Sequence, residues 1–327
     1  MKEQIVLSLF NGMNTLRQAM ENVGIPVKKY YSSEIKPCAI KLTQYHFPDT
    51  IQLGDITKWR EWDIDWSEIT FIGSGSPCQD LSIAGKRAGL SGDKSSLFYT
   101  FIDILEYVKG LNPNVKFLQE NVGSAPTEAV KLMSESLDIL PIRINSNLVT
   151  AQNRDRFYWS NIKVITDWTG YNWTDIPQPE DRKIFLKDII TDGAVFIEKA
   201  QALLESEAKT YSYNDMNKFT YLIKKRIEEG RQIPNFVYRN KGNTLLESDS
   251  IPTSNQDEIL RRSIEMSMSN CVNNQGNIRI LNKTELCRLQ GFPDNYCEIL
   301  SRNKSASLLG DGWTLPVIEH ILSFYKN

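Results

Sequence analysis

Histidine is the scarcest reactive residue in this chain: His46 and His320 are the two among 327 residues. That scarcity argues against histidine metal sites and Ser-His-Asp hydrolysis, so acid, base and nucleophile must come mainly from carboxylates, cysteine or lysine. Cysteine is little more abundant. The five (Cys38, Cys78, Cys271, Cys287, Cys297) are an odd number without a C-x-x-C pair, which argues against a disulfide framework and a cysteine zinc site; no metal is expected. No apolar run approaches the roughly 18 residues of a membrane span, and the N-terminus lacks the basic, apolar and small-residue order of a signal peptide. A cytoplasmic protein with no membrane partner is the expectation. An excess of one charge is missing too: 38 Lys and Arg against 40 Asp and Glu leave −2, which identifies no partner. There are no internal repeats or low-complexity tracts. The rest is ordinary for a globular chain, 41% hydrophobic and 24% charged, with length for about two domains.

The first part of the chain alternates strand and helix patterns. Residues 5–10 (IVLSLF) form a short apolar run ended by Asn11-Gly12, and residues 15–23 follow with helical spacing at Leu16, Ala19, Met20 and Val23 before Gly24. Further strands are predicted at 29–33, 51–54, 69–73 and 115–119, leading to Glu34, Asp55, the loop holding Cys78, and Glu120. Short strands separated by helical lengths predict right-handed βαβ units and an α/β fold with a mostly parallel sheet. In such sheets ligands collect at the carboxyl ends of the strands. Asn11, Glu34, Asp55, Cys78 and Glu120 each follow a predicted strand and would share that rim. Residues 142–164 predict an antiparallel pair carrying Gln152, Arg154 and Arg156. Residues 172–181, with Pro177 and Pro179, read as a linker to a smaller, irregular domain. There, residues 209–241 hold eight basic residues against three acidic ones, a net +5, interleaved with Tyr211, Tyr213, Phe219, Tyr221, Phe236 and Tyr238. That pattern suits phosphate and base contacts, and equally a solvated helix face over a small core. Structure resumes at Arg279, and 314–325 reads as a closing helix.

The loop 10–15 (FNGMNT) sits where a dinucleotide fold places G-x-G-x-x-G, yet it has one glycine. Close approach to a pyrophosphate needs the others, so a ligand without phosphate there is favoured. Glu34 lies 22 residues after Gly12, near the offset of about 20 at which an acid holds ribose hydroxyls. Asp55, one strand further, is placed to receive an adenine amino group. A phosphate-free adenosine ligand points to S-adenosylmethionine, although each carboxylate taken singly is more often a surface loop residue. Free cysteine usually packs as a small hydrophobe, but Cys78 follows a strand end, a Gly-Ser-Gly turn and Pro77, which would display it. Residues 79–96 hold Gly85, Gly89 and Gly92 as hinges and Lys86, Arg87 and Lys94 as cations, a composition suited to closing over an anionic polymer. Arg154 and Arg156 would lower a thiol pKa, although two arginines on a strand more often form a salt-bridged surface.

Ser76-Pro77-Cys78-Gln79, Glu120-Asn121-Val122 and Gln152-Asn153-Arg154-Asp155-Arg156 resemble the P-C-Q, E-N-V and Q-x-R-x-R motifs of the DNA (cytosine-5)-methyltransferases, in that family's order. Phe10-x-Gly12 resembles its first cofactor motif, residues 279–296 with Leu289-Gln290-Gly291-Phe292-Pro293 its penultimate motif, and residues 310–318 its last. Ser8-Leu9-Phe10 and Arg156-Phe157-Tyr158-Trp159 resemble eukaryotic de novo methyltransferases and their phage or bacterial relatives more than the commonest restriction-system enzymes. The resemblance implies a Rossmann-like class I methyltransferase fold. It implies a catalytic and cofactor-binding domain at 1–178, a target recognition domain at 179–276, and a segment at 277–327 that returns to the catalytic domain. The implied reaction moves a methyl group from S-adenosylmethionine, leaving S-adenosylhomocysteine, to C5 of a cytosine flipped out of a specific duplex DNA sequence.

In that reaction Cys78 would bond C6, Glu120 would act at N3 and the exocyclic amine, Arg156 would hold O2, and Arg154 would orient the site. Cofactor contacts are implied for Phe10, Asn11, Gly12, Met13 and Asn14 in the first loop and for Glu34, Ile35, Asp55 and Ile56 after the next two strands. Gly75, Pro77, Leu97, Asp311 and Gly312 complete that set. Pro77, Gln79, Ser82, Lys86, Arg87 and Asn121 would meet DNA or the extruded base. Duplex DNA, a cognate restriction endonuclease and a monomeric state are the implied associations. Three departures stand out: Ser8 replaces a common Asp, Asn14-Thr15 replaces two glycines, and Asp311 replaces an Asn. The last leaves three outcomes open: no effect, tuned affinity or an altered cofactor. An RNA methyltransferase is the rival enzyme, but the Cys-Phe-Thr signature of the tRNA-modifying branch is absent after E-N-V. A non-catalytic DNA-binding relative and a thiol oxidoreductase are the other readings; the missing glycines disfavour the latter.

Overall fold

The computed structural model describes residues 2–76, 96–191, 198–200, 202–203, 236–239 and 277–325. Pro77, Cys78, Gln79, Ser82, Lys86 and Arg87, with most of the basic aromatic stretch 209–241, lie outside them.

Strand β1 (Gln4–Leu9) is buried along its whole length, as a parallel strand covered on both faces must be. Helix α1 (Thr15–Asn22) buries Leu16, Ala19 and Met20, and Gly24 closes it with φ +75° while donating to the Glu21 carbonyl. Strand β2 (Val27–Ser33) follows. Helix α2 (Pro37–His46) opens with a proline, whose missing N–H costs nothing in a first turn. The alternation continues through β3 (Ile51–Gln52), β4 (Phe71–Ser74), α3 (Ser96–Leu111), β5 (Lys116–Val122), α4 (Thr127–Leu137), β6 (Ile142–Asn145) and β7 (Asp155–Ser160). Phe98, Phe101, Ile104, Leu105 and Val108 of α3 recur every three or four residues and pack into one core with Leu7, Leu9, Ile72 and Phe117 of the sheet. Each such fully buried side chain stabilises the fold by about 1.5–3 kcal/mol.

The sheet has seven strands in the order β3-β2-β1-β4-β5-β7-β6. The first five are parallel neighbours, and β7 runs antiparallel to β5 and β6. The expected α/β class and mostly parallel sheet are therefore observed. Most element bounds shift by one to three residues from the sequence reading, and two of the differences matter here. Strand β5 runs on to Val122 because β7 offers it an antiparallel ladder, pairing Glu120 with Tyr158, Asn121 with Phe157 and Val122 with Arg156. Glu120 is thus on the strand and not after it. Residues 172–174 of the expected linker form strand β9 (Asn172–Thr174), paired with β8 (Val164–Thr166) in a small hairpin.

The chain divides into two compact units. The first comprises Met1–Val149, Arg154–Asp181 and Asp311–Asn327 and contains the seven-stranded sheet. The second comprises Thr150–Asn153 and Arg182–Gly310, so residues 277–310 pack with it. It includes α5 (Leu186–Ile189), the antiparallel pair β10 (Phe236–Arg239) and β11 (Asn277–Ile280), α6 (Lys283–Leu289) and most of α7 (Arg302–Asp311). Its buried Glu285 carboxylate accepts from the Asn282 N–H at 2.7 Å and from the Thr191 N–H and hydroxyl at 2.8 and 2.9 Å. That satisfies a charge which would otherwise be costly to bury. In the first unit the closing helix α8 (Leu315–Leu322) is followed by Tyr325, which donates to the Gln4 side chain at 2.7 Å. No described helix is long and apolar enough to cross a membrane.

The turn after β5 tolerates no side chain. A Cβ on Gly123 would stand 2.7 Å from the Asp155 carboxylate and 2.8 Å from its carbonyl, while the Gly123 N–H donates to that carbonyl at 2.9 Å. Gly123→Ala should therefore destabilise the protein by about 1–3 kcal/mol, the usual cost of overpacking. Urea denaturation checks this, and an unchanged midpoint would show that β5 and β7 separate more easily than the geometry implies.

Candidate active site

Register aligns the strand ends. Ser33 of β2 pairs with Leu9 of β1, Leu9 with Ser74 of β4, and Ser74 with Gln119 of β5. One residue further along each strand, Glu34, Phe10, Gly75 and Glu120 stand side by side. This is the carboxyl rim, and the order reverses between β1 and β4, where open α/β sheets hold ligands.

On the β1–β2 side the loop is sharply turned. Phe10, Gly12 and Asn14 have φ of +56°, +55° and +65°, a region that non-glycine residues adopt at a cost. The Glu34 carboxylate holds this loop. One oxygen accepts from the Gly12 N–H at 2.7 Å, and the other from the Ile35 and Lys36 N–H groups at 2.8 Å each. A carboxylate offers about four acceptor positions, so about one remains for a ligand hydroxyl. Beside it Ile35 is 69% exposed, an apolar surface open to an aromatic ring. Asp55 is exposed and receives the Thr57 N–H at 2.9 Å. Asn14 is fully buried, and neither atom of its side-chain amide has a protein partner.

At the β4 exit, the last motif supplies a wall. A Cβ on Gly75 would lie 2.6 Å from the Trp313 indole nitrogen, so only glycine lets the two meet. Arg154 is buried and donates to the Gly312 carbonyl at 2.9 Å, and Lys36 forms an ion pair with Asp311.

On the β5–β7 side, Glu120 and Arg156 project from the same face, because Val122 and Arg156 are paired and Glu120 is two residues back. The Arg156 Nε lies 2.8 Å from the Glu120 carboxylate, with the side chains 14% and 12% exposed. Tyr158, also on this face, has its phenol pushed well above the ordinary value by burial and then by the Glu120 charge, so it stays protonated. On the opposite face Gln119 donates to the Ser76 hydroxyl at 3.1 Å and to the Glu120 carbonyl at 2.8 Å. It links the root of the Pro77-Cys78 segment to the strand carrying Glu120.

Several expected side-chain contacts are corrected. Asn11 faces inward, donating to Thr43 at 3.3 Å and accepting from the Tyr30 hydroxyl at 3.1 Å. Met13 is fully buried and Ile56 is 5% exposed within the core, so both leave only backbone at the rim. Asn121 points to the α4 face, against the Met133 sulfur, because strand alternation sends it opposite Glu120. Arg154 precedes β7 and only Arg156 lies on the strand, while Gln152 belongs to the second unit, where it bridges to Ala200. Leu97, half-buried on α3, packs on the core. The sequence reading missed Trp313, Lys36 and Gln119. A polar Gln119 at the end of an apolar run, and glycines at both 73 and 75, were the available signals.

Residues 5–327 match the family model for C-5 cytosine-specific DNA methylases. The chain belongs to the C-5 cytosine-specific DNA methylase family. Among similar proteins, the type II methyltransferase M.NlaIV of Neisseria lactamica is 29% identical over 215 residues, covering 59% of this chain and 49% of its own length. The chain thus spans about half the length of that relative. The type II methyltransferase M.HpaII of Haemophilus parainfluenzae is 27% identical over 334 residues, covering 96% of this chain and 86% of its own. The structure of the methyltransferase EhMeth from Entamoeba histolytica has the same fold, with a TM-score of 0.65 at 14% identity over 99% of this chain and 98% of that one. At this rim the Glu120–Arg156 pair is largely enclosed. Arg156→Met should leave the carboxylate without its partner and destabilise the protein by about 1.5–3 kcal/mol. The double variant Glu120→Gln, Arg156→Met should lose less than the sum of the singles, as read by urea denaturation. Additive losses would mean that the two side chains are not coupled.

Proposed function

We propose that this chain transfers a methyl group from S-adenosylmethionine to C5 of cytosine in duplex DNA. The observation that carries the reading is the Glu120–Arg156 pair, standing at the same level of the sheet as the Glu34-held loop in a member of this family. About three strand spacings, roughly 14 Å, separate the β2 and β5 ends, room for a cofactor at one side and a base at the other.

The residues present fit the cofactor. Glu34 keeps about one acceptor position for a ribose hydroxyl, Ile35 offers an apolar face to adenine, and Asp55 has a second carboxylate oxygen for the adenine amine. Asn14 has an unpartnered buried amide at the same loop, and Gly75 and Gly312 complete the wall with Trp313. When bound, S-adenosylmethionine supplies an electrophilic methyl group.

The chain's own residues then act on the base. Cytosine C5 is a poor nucleophile. Addition of the Cys78 thiolate to C6 forms a C–S bond and moves electron density to C5, while Glu120 delivers a proton or hydrogen bond at N3 and holds the exocyclic amine. Arg156, fixed by its bond to Glu120, would donate to O2. After C5 gains its methyl group, loss of the C5 proton restores the double bond and expels the thiolate. C6 is inaccessible inside a duplex, so the base must be flipped out. Pro77, Gln79, Ser82, Lys86 and Arg87 are assigned to contacts with DNA or the extruded base, and residues 179–276 to recognition of the DNA word. A cognate restriction endonuclease is the corresponding partner.

Incubation with tritiated S-adenosylmethionine should label duplex DNA and not tRNA, and a duplex containing 5-fluorocytosine at the target should trap the protein covalently, because fluorine cannot leave as a proton does. Cys78→Ala should abolish both while retaining cofactor binding. Labelled tRNA with unlabelled DNA would overturn the substrate assignment.

Glu34→Ala removes the ribose acceptor, the bond that ties the first loop through Gly12, and two bonds within its own turn. Cofactor affinity should fall by about 1.5–3 kcal/mol at least, the value of one hydrogen bond to a charged group. Unchanged affinity by calorimetry would place the adenosine elsewhere.

A further inference from the structure

The hairpin of β8 and β9 displays more apolar surface than any solvated element needs. Ile165 is 55% exposed, Tyr171 64%, Trp173 43% and Trp168 96%. The exposure is built in, because the turn is tightly held. One oxygen of Asp167 accepts from the Thr169 N–H and hydroxyl at 2.9 and 2.6 Å and from the Tyr171 N–H at 3.0 Å, while the other receives the Trp173 indole N–H at 2.9 Å. These donors hold its carboxyl down to about 2, so it is ionised at any working pH. An isolated two-stranded hairpin is marginal in water, and exposed apolar patches of this kind mark interfaces.

The two edges of the hairpin differ. The far edge of β9 is covered, since the Leu140 N–H donates to Asn172 and its carbonyl accepts from Thr174. Beyond β8 no further strand lies among the described residues, and all three of its residues are exposed. Bonds from Asp167 to Tyr171 and from Asp175 to Lys163 fix the phase of the ladder. Residues 163, 165 and 167 therefore turn their backbone groups toward β9, and Val164 and Thr166 turn theirs to the open edge. Such an edge is a template for another strand.

The sequence along that edge is self-complementary. It reads Lys163-Val164-Ile165-Thr166-Asp167, basic at one end, acidic at the other and apolar in the centre. We infer that β8 pairs with β8 of a second copy of this chain, antiparallel about a twofold axis at Ile165, joining two hairpins into one four-stranded sheet. In this register Val164 faces Thr166 of the second copy, and each such pair exchanges two backbone bonds through the groups that now point outward. Ile165 meets its own counterpart in the closely spaced, non-hydrogen-bonded position. Lys163, already 2.7 Å from Asp175 of its own hairpin, comes opposite Asp167 of the second copy. A slide of two residues either way sets Lys163 or Asp167 against Ile165, so charge and hydropathy select one register. The isologous arrangement closes on itself. Nucleic acid fits this surface poorly: between residues 163 and 181 Lys163 is the one basic residue, against Asp167, Asp175, Glu180 and Asp181. A dimer takes the place of the monomer implied by the sequence resemblance.

Sedimentation equilibrium of the full chain should give a mass that rises with concentration toward twice 37.5 kDa. Ile165→Glu sets like charges together at the axis, and Val164→Pro removes an outward N–H without touching the ladder to β9. Each should weaken dimerisation about tenfold or more. Under mild oxidation Ile165→Cys should cross-link to its own copy, because Cα atoms in such a pair stand about 4.5 Å apart. Val164→Cys, opposite Thr166, should not. A wild type that stays monomeric at its highest soluble concentration overturns the proposal. So does a dimer that survives both Ile165→Glu and Val164→Pro, or one in which Val164→Cys cross-links as well as Ile165→Cys. If the first two variants fail to fold, the cysteine pair alone decides.

Discussion

Ser33, Leu9, Ser74 and Gln119 stand level on four adjacent parallel strands, and the chemistry of the rim depends on that register. A slip of one residue in a strand exchanges its two faces. In β5 it would turn Asn121 toward Arg156 and bury Glu120 against Met133, replacing an ion pair with an isolated charge in the core. What prevents the slip is apolar. Phe117 on one face of β5 is locked among Ile72, Phe101 and the residues of α4, with Trp159 of β7 in the same cluster. Packing far from the rim thus decides which member of Glu120-Asn121 faces the site.

The same separation of cause and effect holds at the first loop. Phe10 and Asn14 adopt left-handed backbone, at about 1–2 kcal/mol each. One donor of this loop, the Gly12 N–H, reaches the Glu34 carboxylate, and a hydrogen bond to a charged group contributes about 1.5–3 kcal/mol. That bond offsets much of the strain. A loop with one glycine is tied to the end of the next strand by the Glu34 side chain through the Gly12 N–H. Ser8, one of the departures in this motif, lies beside the hydroxyl of Tyr30, whose phenol burial pushes far above its ordinary value. A carboxylate there would be a buried charge, since Ser8 is 4% exposed.

Much of this was legible in the sequence because periodicity is local. Short apolar runs separated by helical lengths gave the parallel sheet, and polar residues after those runs gave Glu34 and Asp55 at the rim. The antiparallel closure by β6 and β7 was legible as alternation. What failed depends on partners distant in sequence. The bound of β5 is set by β7, some forty residues on, so Glu120 was placed after a strand that in fact contains it. The inward turn of Asn11 and Asn121 depends on Tyr30, Thr43 and Met133, which no local pattern names. Trp313 escaped notice because its role is to fill the space left by Gly75, and a missing side chain says nothing about what occupies its place.

Asp311 shows how a departure from a family pattern is absorbed. A carboxylate in place of an amide adds a negative charge at the wall of the proposed cofactor site. Lys36, two residues beyond Glu34, meets it in an ion pair whose side chains are 44% and 39% exposed. An exposed pair of this kind contributes little stability, at most about 1 kcal/mol. Its consequence is electrostatic: the added charge is matched within the wall and does not face a ligand alone. Since the neighbouring Gly312 carbonyl is already held by Arg154, the segment is fixed in position by groups independent of the Asp311 charge. Of the three outcomes left open by the sequence, this arrangement favours the neutral one. A substitution at residue 311 or residue 36 removes this match between the two charges.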